Sequence, residues 1–212
     1  MASTPSAPDP QTGTPRFLLI AVALAGCLVL ATGLLLFVGL RDSPRGIAGT
    51  VLSSAIGGPF QLVDQNGRPF TETDLKGKWH LIFFGYTHCP DVCPTTLNEL
   101  SLALDRLGAK RDQVGIVMIT VDPERDTPVT LKSYIASFDA PITALSGTPE
   151  QVAEAEKAYR VYSAKRPTAG GNYDMDHSAV IYVMDPEGRF TATFTPDTGA
   201  DAVAERMQKL LS

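Results

Sequence analysis

The sequence predicts a mixed α/β domain tethered behind a single membrane-spanning helix. Three observations carry this. Residues 17–40 form a 24-residue stretch without a charged side chain. Beyond it, an apolar strand, a helix and a second apolar strand follow one another around two cysteines, Cys89 and Cys93. The chain then closes on two strands joined by a turn, and a last helix.

Residues 1–15 are rich in Pro, Ser and Thr with one charge, Asp9, and are expected to form a disordered tail. As a helix, residues 17–40 would rise ~36 Å against a hydrocarbon core of roughly 30 Å, enough to cross with some tilt. The anchor is therefore placed at 16–40, a Gly- and Ser-containing linker at 41–58, and the folded domain at 59–212. Leu24-Ala25-Gly26-Cys27 offers a second reading, a lipoprotein processing site with Cys27 as the lipidated N-terminus. The uncleaved helix is preferred because residues 28–40 stay apolar where mature lipoproteins turn polar. Arg16 before the span and Arg41 and Arg45 after it slightly favour a cytoplasmic C-terminus, but long folded domains translocate largely regardless of such charges. The net charge is -5 and Lys and Arg are scattered, which gives no footprint for nucleic acid.

Within the domain, residues 60–63 and Gln65-Asn66-Gly67-Arg68 predict a short strand opening a hairpin. Residues 79–86, apolar and aromatic, suit a buried strand. Leu97, Leu100, Leu104 and Leu107 recur at helical spacing, and Pro94 and Gly108 bound a helix over about 94–107. Residues 114–121 supply the next strand. Thr127-Pro128 reads as the cap and first position of a helix running to Phe138. Residues 149–162 predict another, with Val152, Ala155, Tyr159 and Tyr162 on one face. Residues 165–176, with Pro167 and Gly170-Gly171, read as a loop. Strands at 180–184 and 190–195 flank Asp185-Pro186-Glu187-Gly188, and a helix covers 200–211. The order β-hairpin, β, α, β, α, α, β, β, α is that of a thioredoxin-like fold with an N-terminal β-hairpin extension.

Cys89 and Cys93 fall between a strand and a helix N-terminus, whose free N–H groups and dipole favour thiolate over thiol. Thiolate both attacks disulfides and binds soft metals. The spacing is one residue wider than a redox Cys-x-x-Cys, so the loop can close to a disulfide or spread its sulfurs around an ion. A short-loop disulfide of little stabilising value and a pair of inert buried thiols are the alternatives. Of three histidines, His80 opens a strand and is expected to be solvated or capped. His88 adjoins Cys89, but adjacent residues rarely both face one ion. His177 precedes the strand at 180, the position beside the cysteine loop where thioredoxins carry a cis-proline. Two thiolates and one imidazole suit Cu(I), and Cu(II) with a further ligand. Zinc in a structural site usually asks for a fourth ligand. Asp174 or Asp176 is expected to fix the His177 tautomer. A loop histidine bonded only locally is the alternative for His177, and Met175 reads as packing.

Three segments taken together resemble the Sco/SenC family of copper-delivery proteins: FGYTHCPDVCP at 84–94, TVDPERDTP at 120–128 and YDMDHS at 173–178. The resemblance spans about 59–211. It implies a thioredoxin fold behind one N-terminal anchor, and copper held by Cys89, Cys93 and His177. It implies as partner cytochrome c oxidase subunit II, whose dinuclear copper centre the family helps assemble; it names no upstream copper donor. The family's site faces the periplasm or the mitochondrial intermembrane space. With no Arg-rich transit pattern in the tail, a single-pass bacterial inner-membrane protein with a periplasmic domain is expected. Copper delivery is not an enzymatic activity. The rival reading is a thiol–disulfide oxidoreductase that keeps the oxidase cysteines reduced. Asp122 and Asp126 are expected to organise their turn, with Arg125 paired to one of them.

Overall fold

The computed structural model describes residues 56–212. The expected tail, the expected membrane anchor at 16–40, Cys27 and most of the expected linker lie outside the described residues. No helix among the described residues is long and apolar enough to cross a membrane.

The first strand, β1 (Gln61–Asp64), turns at Gly67 (φ +75°) into β2 (Pro69–Thr71). The expected hairpin is therefore present. β3 (Trp79–Gly85) is central: Leu81, Ile82, Phe83 and Phe84 are at most 1% exposed, so both faces of the strand are buried. It leads through the cysteine loop into α1 (Val92–Arg106) and then β4 (Val114–Thr120), parallel to β3. α2 (Pro128–Ile135) starts at Pro128 behind the Thr127 cap, whose hydroxyl accepts from the Thr130 amide, as the sequence implies. β5 (Ile142–Ser146) follows, then α3 (Pro149–Tyr159), β6 (Ser163–Pro167), β7 (Tyr173–His177), β8 (Ile181–Met184), β9 (Phe190–Phe194) and α4 (Ala200–Leu210). Seven strands form one sheet in the order β2-β1-β5-β4-β3-β8-β9, while β6 and β7 make a separate two-stranded ribbon.

Five sequence expectations change. The helix behind Thr127 ends at Ile135 rather than Phe138. The helix at the cysteine loop begins at Val92 rather than Pro94, which places Cys93 inside its first turn. β5 is additional to the expected elements; it pairs parallel to β4 and antiparallel to β1, and so joins the N-terminal hairpin to the sheet. Residues 165–176 are not a loop but most of the β6–β7 ribbon, with Gly170 and Gly171 at positive φ in its turn. α3 stops at Tyr159 because Arg160 adopts a left-handed conformation, so Tyr162 falls outside the helix and is 64% exposed.

Candidate metal centre

β3, β4 and the ribbon converge on the cysteine loop. Cys93 is fully buried in the first turn of α1, and Cys89 is partly buried just before it. The Cys93 backbone N–H donates to Cys89 Sγ at 3.4 Å, as the exposed amides of a helix N-terminus allow. Both thiols are free. Gly85 makes room for them: a Cβ there would lie 2.6 Å from the Phe83 ring and 3.0 Å from Cys93 Sγ. Gly85→Ala is expected to cost about 1–3 kcal/mol by overpacking. That lowers the thermal midpoint of the full chain by roughly 2–12 °C. An unchanged melting curve would show that Phe83 yields freely.

His177 ends β7, and its Nε2 lies 3.9 Å from Cys93 Sγ. The ring stands edge-on to Tyr86, with centroids 5.8 Å apart, and to Phe83, 6.4 Å apart. Its Nδ1 sits 3.2 Å from the Ser178 carbonyl, which accepts only if that nitrogen carries the proton; Nε2 then faces the sulfur with its lone pair. Neither Asp174 nor Asp176 fixes the tautomer. Alternation along β7 sends both to the opposite side from His177, where each pairs with Arg166 at 3.0 Å.

The two thiols are electrostatically unlike. The neighbouring Cys93 thiol lowers the Cys89 pKa to about 5, with backbone amides of Cys93 and Asp91 and the nearby His177 adding to the effect against burial. The proximity of Cys89, then burial, pushes the Cys93 thiol well above the usual thiol range. Alkylation of Cys89 by iodoacetamide, followed by mass spectrometry of its peptide, is therefore expected to rise through a midpoint near pH 5. A midpoint near the ordinary ~8.5 would contradict the asymmetry. Because the folded value lies below the unfolded one, this thiol adds stability in full above roughly pH 8.5 and loses it as the pH falls through about 5.

The segment after β4 brackets the site. Asp126, with no exposed surface, accepts from the Thr87 amide at 3.0 Å, the Thr87 hydroxyl at 2.6 Å and the Thr120 hydroxyl at 2.7 Å. It thus holds the cysteine loop rather than only its own turn. Asp122, equally buried, takes the expected ion pair with Arg125 and also accepts from the Tyr173 hydroxyl at 2.8 Å. Thr87 lies inside the 84–94 segment, but nothing local marks its role: its partner lies 39 residues away.

The other histidines stand apart from the sulfurs. His88 Nδ1 lies 3.1 Å from the Thr87 hydroxyl and 4.0 Å from Asp126. His80 is not solvated: it is 8% exposed, with Nδ1 3.2 Å from the Lys78 carbonyl, and burial lowers its pKa. Met175 is buried, in keeping with packing. A broad surface groove lined by Phe60, Glu72, Lys157 and Arg160 includes none of the three residues; a single ion needs no such volume.

A family model described as SCO1/SenC matches residues 49–212. Yeast Protein SCO1, mitochondrial, is 42% identical over 164 residues, covering 73% of this chain and 55% of that protein. The Rickettsia felis SCO2-like protein is 34% identical over 193 residues, covering 88% and 94%. Against the Arabidopsis mitochondrial SCO1 homolog 1 the match covers 47% of the relative, so this chain spans about half the length of such mitochondrial relatives. Among solved structures, Bradyrhizobium japonicum ScoI with copper bound superposes with a TM-score of 0.69 at 52% identity, covering 73% of this chain and 99% of that one. By sequence and by fold, the chain belongs to the SCO1/SenC family.

Proposed function

We propose that Cys89, Cys93 and His177 hold one copper ion and that the chain passes this cargo to the dinuclear copper site of cytochrome c oxidase subunit II. The observation that carries the reading is the 3.9 Å approach of His177 Nε2 to Cys93 Sγ across 84 residues of chain. With metal–sulfur and metal–nitrogen bonds of about 2.3 and 2.0 Å at ~120°, two ligands stand about 3.7 Å apart, close to the spacing of this pair. Among the described residues no three such side chains already stand within reach of one ion, so loading has to draw the third donor in. Two sulfurs and an imidazole form a soft donor set suited to copper, and a relative 52% identical has been solved with copper bound. Loading takes the proton from Cys93. The resulting charge of about -1 for Cu(I) with two thiolates is partly offset by the N-terminus of α1. A three-coordinate ion leaves an open side for an incoming thiolate, so transfer proceeds by ligand exchange. We place the domain on the periplasmic side of a bacterial inner membrane, tethered by residues 16–40.

The test is made in cells lacking the chain, with the copper content of purified oxidase subunit II as readout. Wild type restores it; His177→Ala and Cys89→Ala both fail. Full restoration by His177→Ala together with failure of Cys89→Ala hands the role to a thiol–disulfide oxidoreductase. One observation favours that second reading: the low pKa of Cys89, about 5, beside a thiol held protonated is the asymmetry that dithiol exchange uses.

A further inference from the structure

The ribbon that carries His177 is not hydrogen-bonded into the main sheet. A two-stranded ribbon is marginal by itself, so something must hold it against the domain. At its base the Ser178 amide donates to the Tyr162 carbonyl at 2.9 Å, which extends the β6–β7 ladder by one rung and closes the ribbon on itself. Three side chains tie it to the segment between β4 and α2: the Tyr173 hydroxyl donates to Asp122 at 2.8 Å, Lys165 pairs with Glu124 at 2.6 Å, and Arg125 makes the largest set of contacts. Its Nη1 donates to the Tyr173 carbonyl at 2.9 Å and to Asn172 Oδ1 at 3.3 Å, while its Nε donates to Asp122. The guanidinium carbon lies 3.8 Å from the centre of the Tyr173 ring and 5.9 Å from that of Tyr86. Tyr86 is the residue whose ring meets the edge of His177. The Arg125 side chain is only 18% exposed, so these contacts are not those of a solvated surface pair.

We infer that Arg125 is a positioning residue for His177: it fastens the β6–β7 ribbon to the domain and sets the imidazole over the sulfurs. The assignment rests on the three-ligand reading above. Neighbouring residues divide the work. Asp126 grips Thr87 at the root of the cysteine loop, and Arg125 grips Tyr173 on the ribbon. The short segment between β4 and α2 thereby fixes both halves of the site relative to each other. The planar fork is what the geometry uses, since one donor face must reach Asp122 while the other reaches the Tyr173 carbonyl. A lysine keeps the charge but offers a single point donor that cannot span both.

The test uses the full chain in detergent, reduced, with Arg125→Leu, Arg125→Lys and His177→Ala beside wild type. Two readouts are taken: amide exchange without metal, and nitrogen hyperfine coupling in the electron paramagnetic resonance spectrum after adding one equivalent of copper(II) chloride. In both Arg125 variants, exchange over 163–177 is expected to quicken roughly tenfold while β3 and β4 keep wild-type protection. The nitrogen coupling weakens toward that of His177→Ala, and copper affinity falls about 10- to 100-fold, the usual cost of losing a group that orients a ligand. Should Arg125→Leu fail to fold, the test passes to Arg125→Lys, which retains the charge beside Asp122. Wild-type ribbon exchange with wild-type nitrogen coupling in Arg125→Lys overturns the inference. If wild type and His177→Ala give the same copper spectrum, the three-ligand reading has failed, and the ribbon's exchange alone decides whether Arg125 fastens it.

Discussion

Replacing His177 by alanine is expected to lower the copper affinity of the reduced chain by at least about 100-fold, more than the 10- to 100-fold usual for groups that merely orient a ligand. The change removes one of the three proposed donors and leaves two sulfurs whose geometry the imidazole does not set. Cys93 stays in the first turn of α1, and Cys89 still accepts from the Cys93 amide at 3.4 Å. The fold is expected to survive, because His177 is only partly buried at the end of a ribbon outside the main sheet. Competition with a chromophoric Cu(I) chelator measures the effect. A variant that holds copper as tightly as wild type would remove His177 from the site.

Asp126→Ala is expected to have the largest effect on stability. Its carboxyl group has no exposed surface and accepts three hydrogen bonds, from the Thr87 amide, the Thr87 hydroxyl and the Thr120 hydroxyl. Removing it strands these donors, and the fully buried Thr120 has no water to turn to. Leaving buried donors unpaired costs about 3 kcal/mol in total. For a domain of this size the thermal midpoint falls by roughly 6–12 °C. The cysteine loop loses its tie to the segment after β4, so copper affinity falls as well. A midpoint within about 2 °C of wild type would show that the network is replaceable.

What is legible in the sequence follows from where burial leaves a pattern. β3 can be read because both its faces are buried, giving an unbroken apolar run from Leu81 to Phe84. α2 can be read because Thr127 and Pro128 carry their own capping chemistry. β5 escapes such a reading because Ile142–Ser146 is five residues long and carries Thr143 and Ser146. The β6–β7 ribbon escapes it for a related reason. Ser163–Pro167 and Tyr173–His177 are largely polar and only Met175 among them is buried, so no alternation marks them as strands. Cys89, Cys93 and His177 can be named from residue type, position and family resemblance, and the fold brings Cys93 and His177 to 3.9 Å. The holding network cannot be named in this way. Asp126 to Thr87 spans 39 residues, and Arg125 to Tyr173 spans 48. Only the folded chain brings such pairs together.

X-ray absorption at the copper edge of the loaded full chain tests the three-ligand site most directly. Two sulfur scatterers and one imidazole nitrogen per ion are expected, with the nitrogen shell lost in His177→Ala. A sulfur-only shell in wild type, or a nitrogen shell that survives in His177→Ala, would contradict the site.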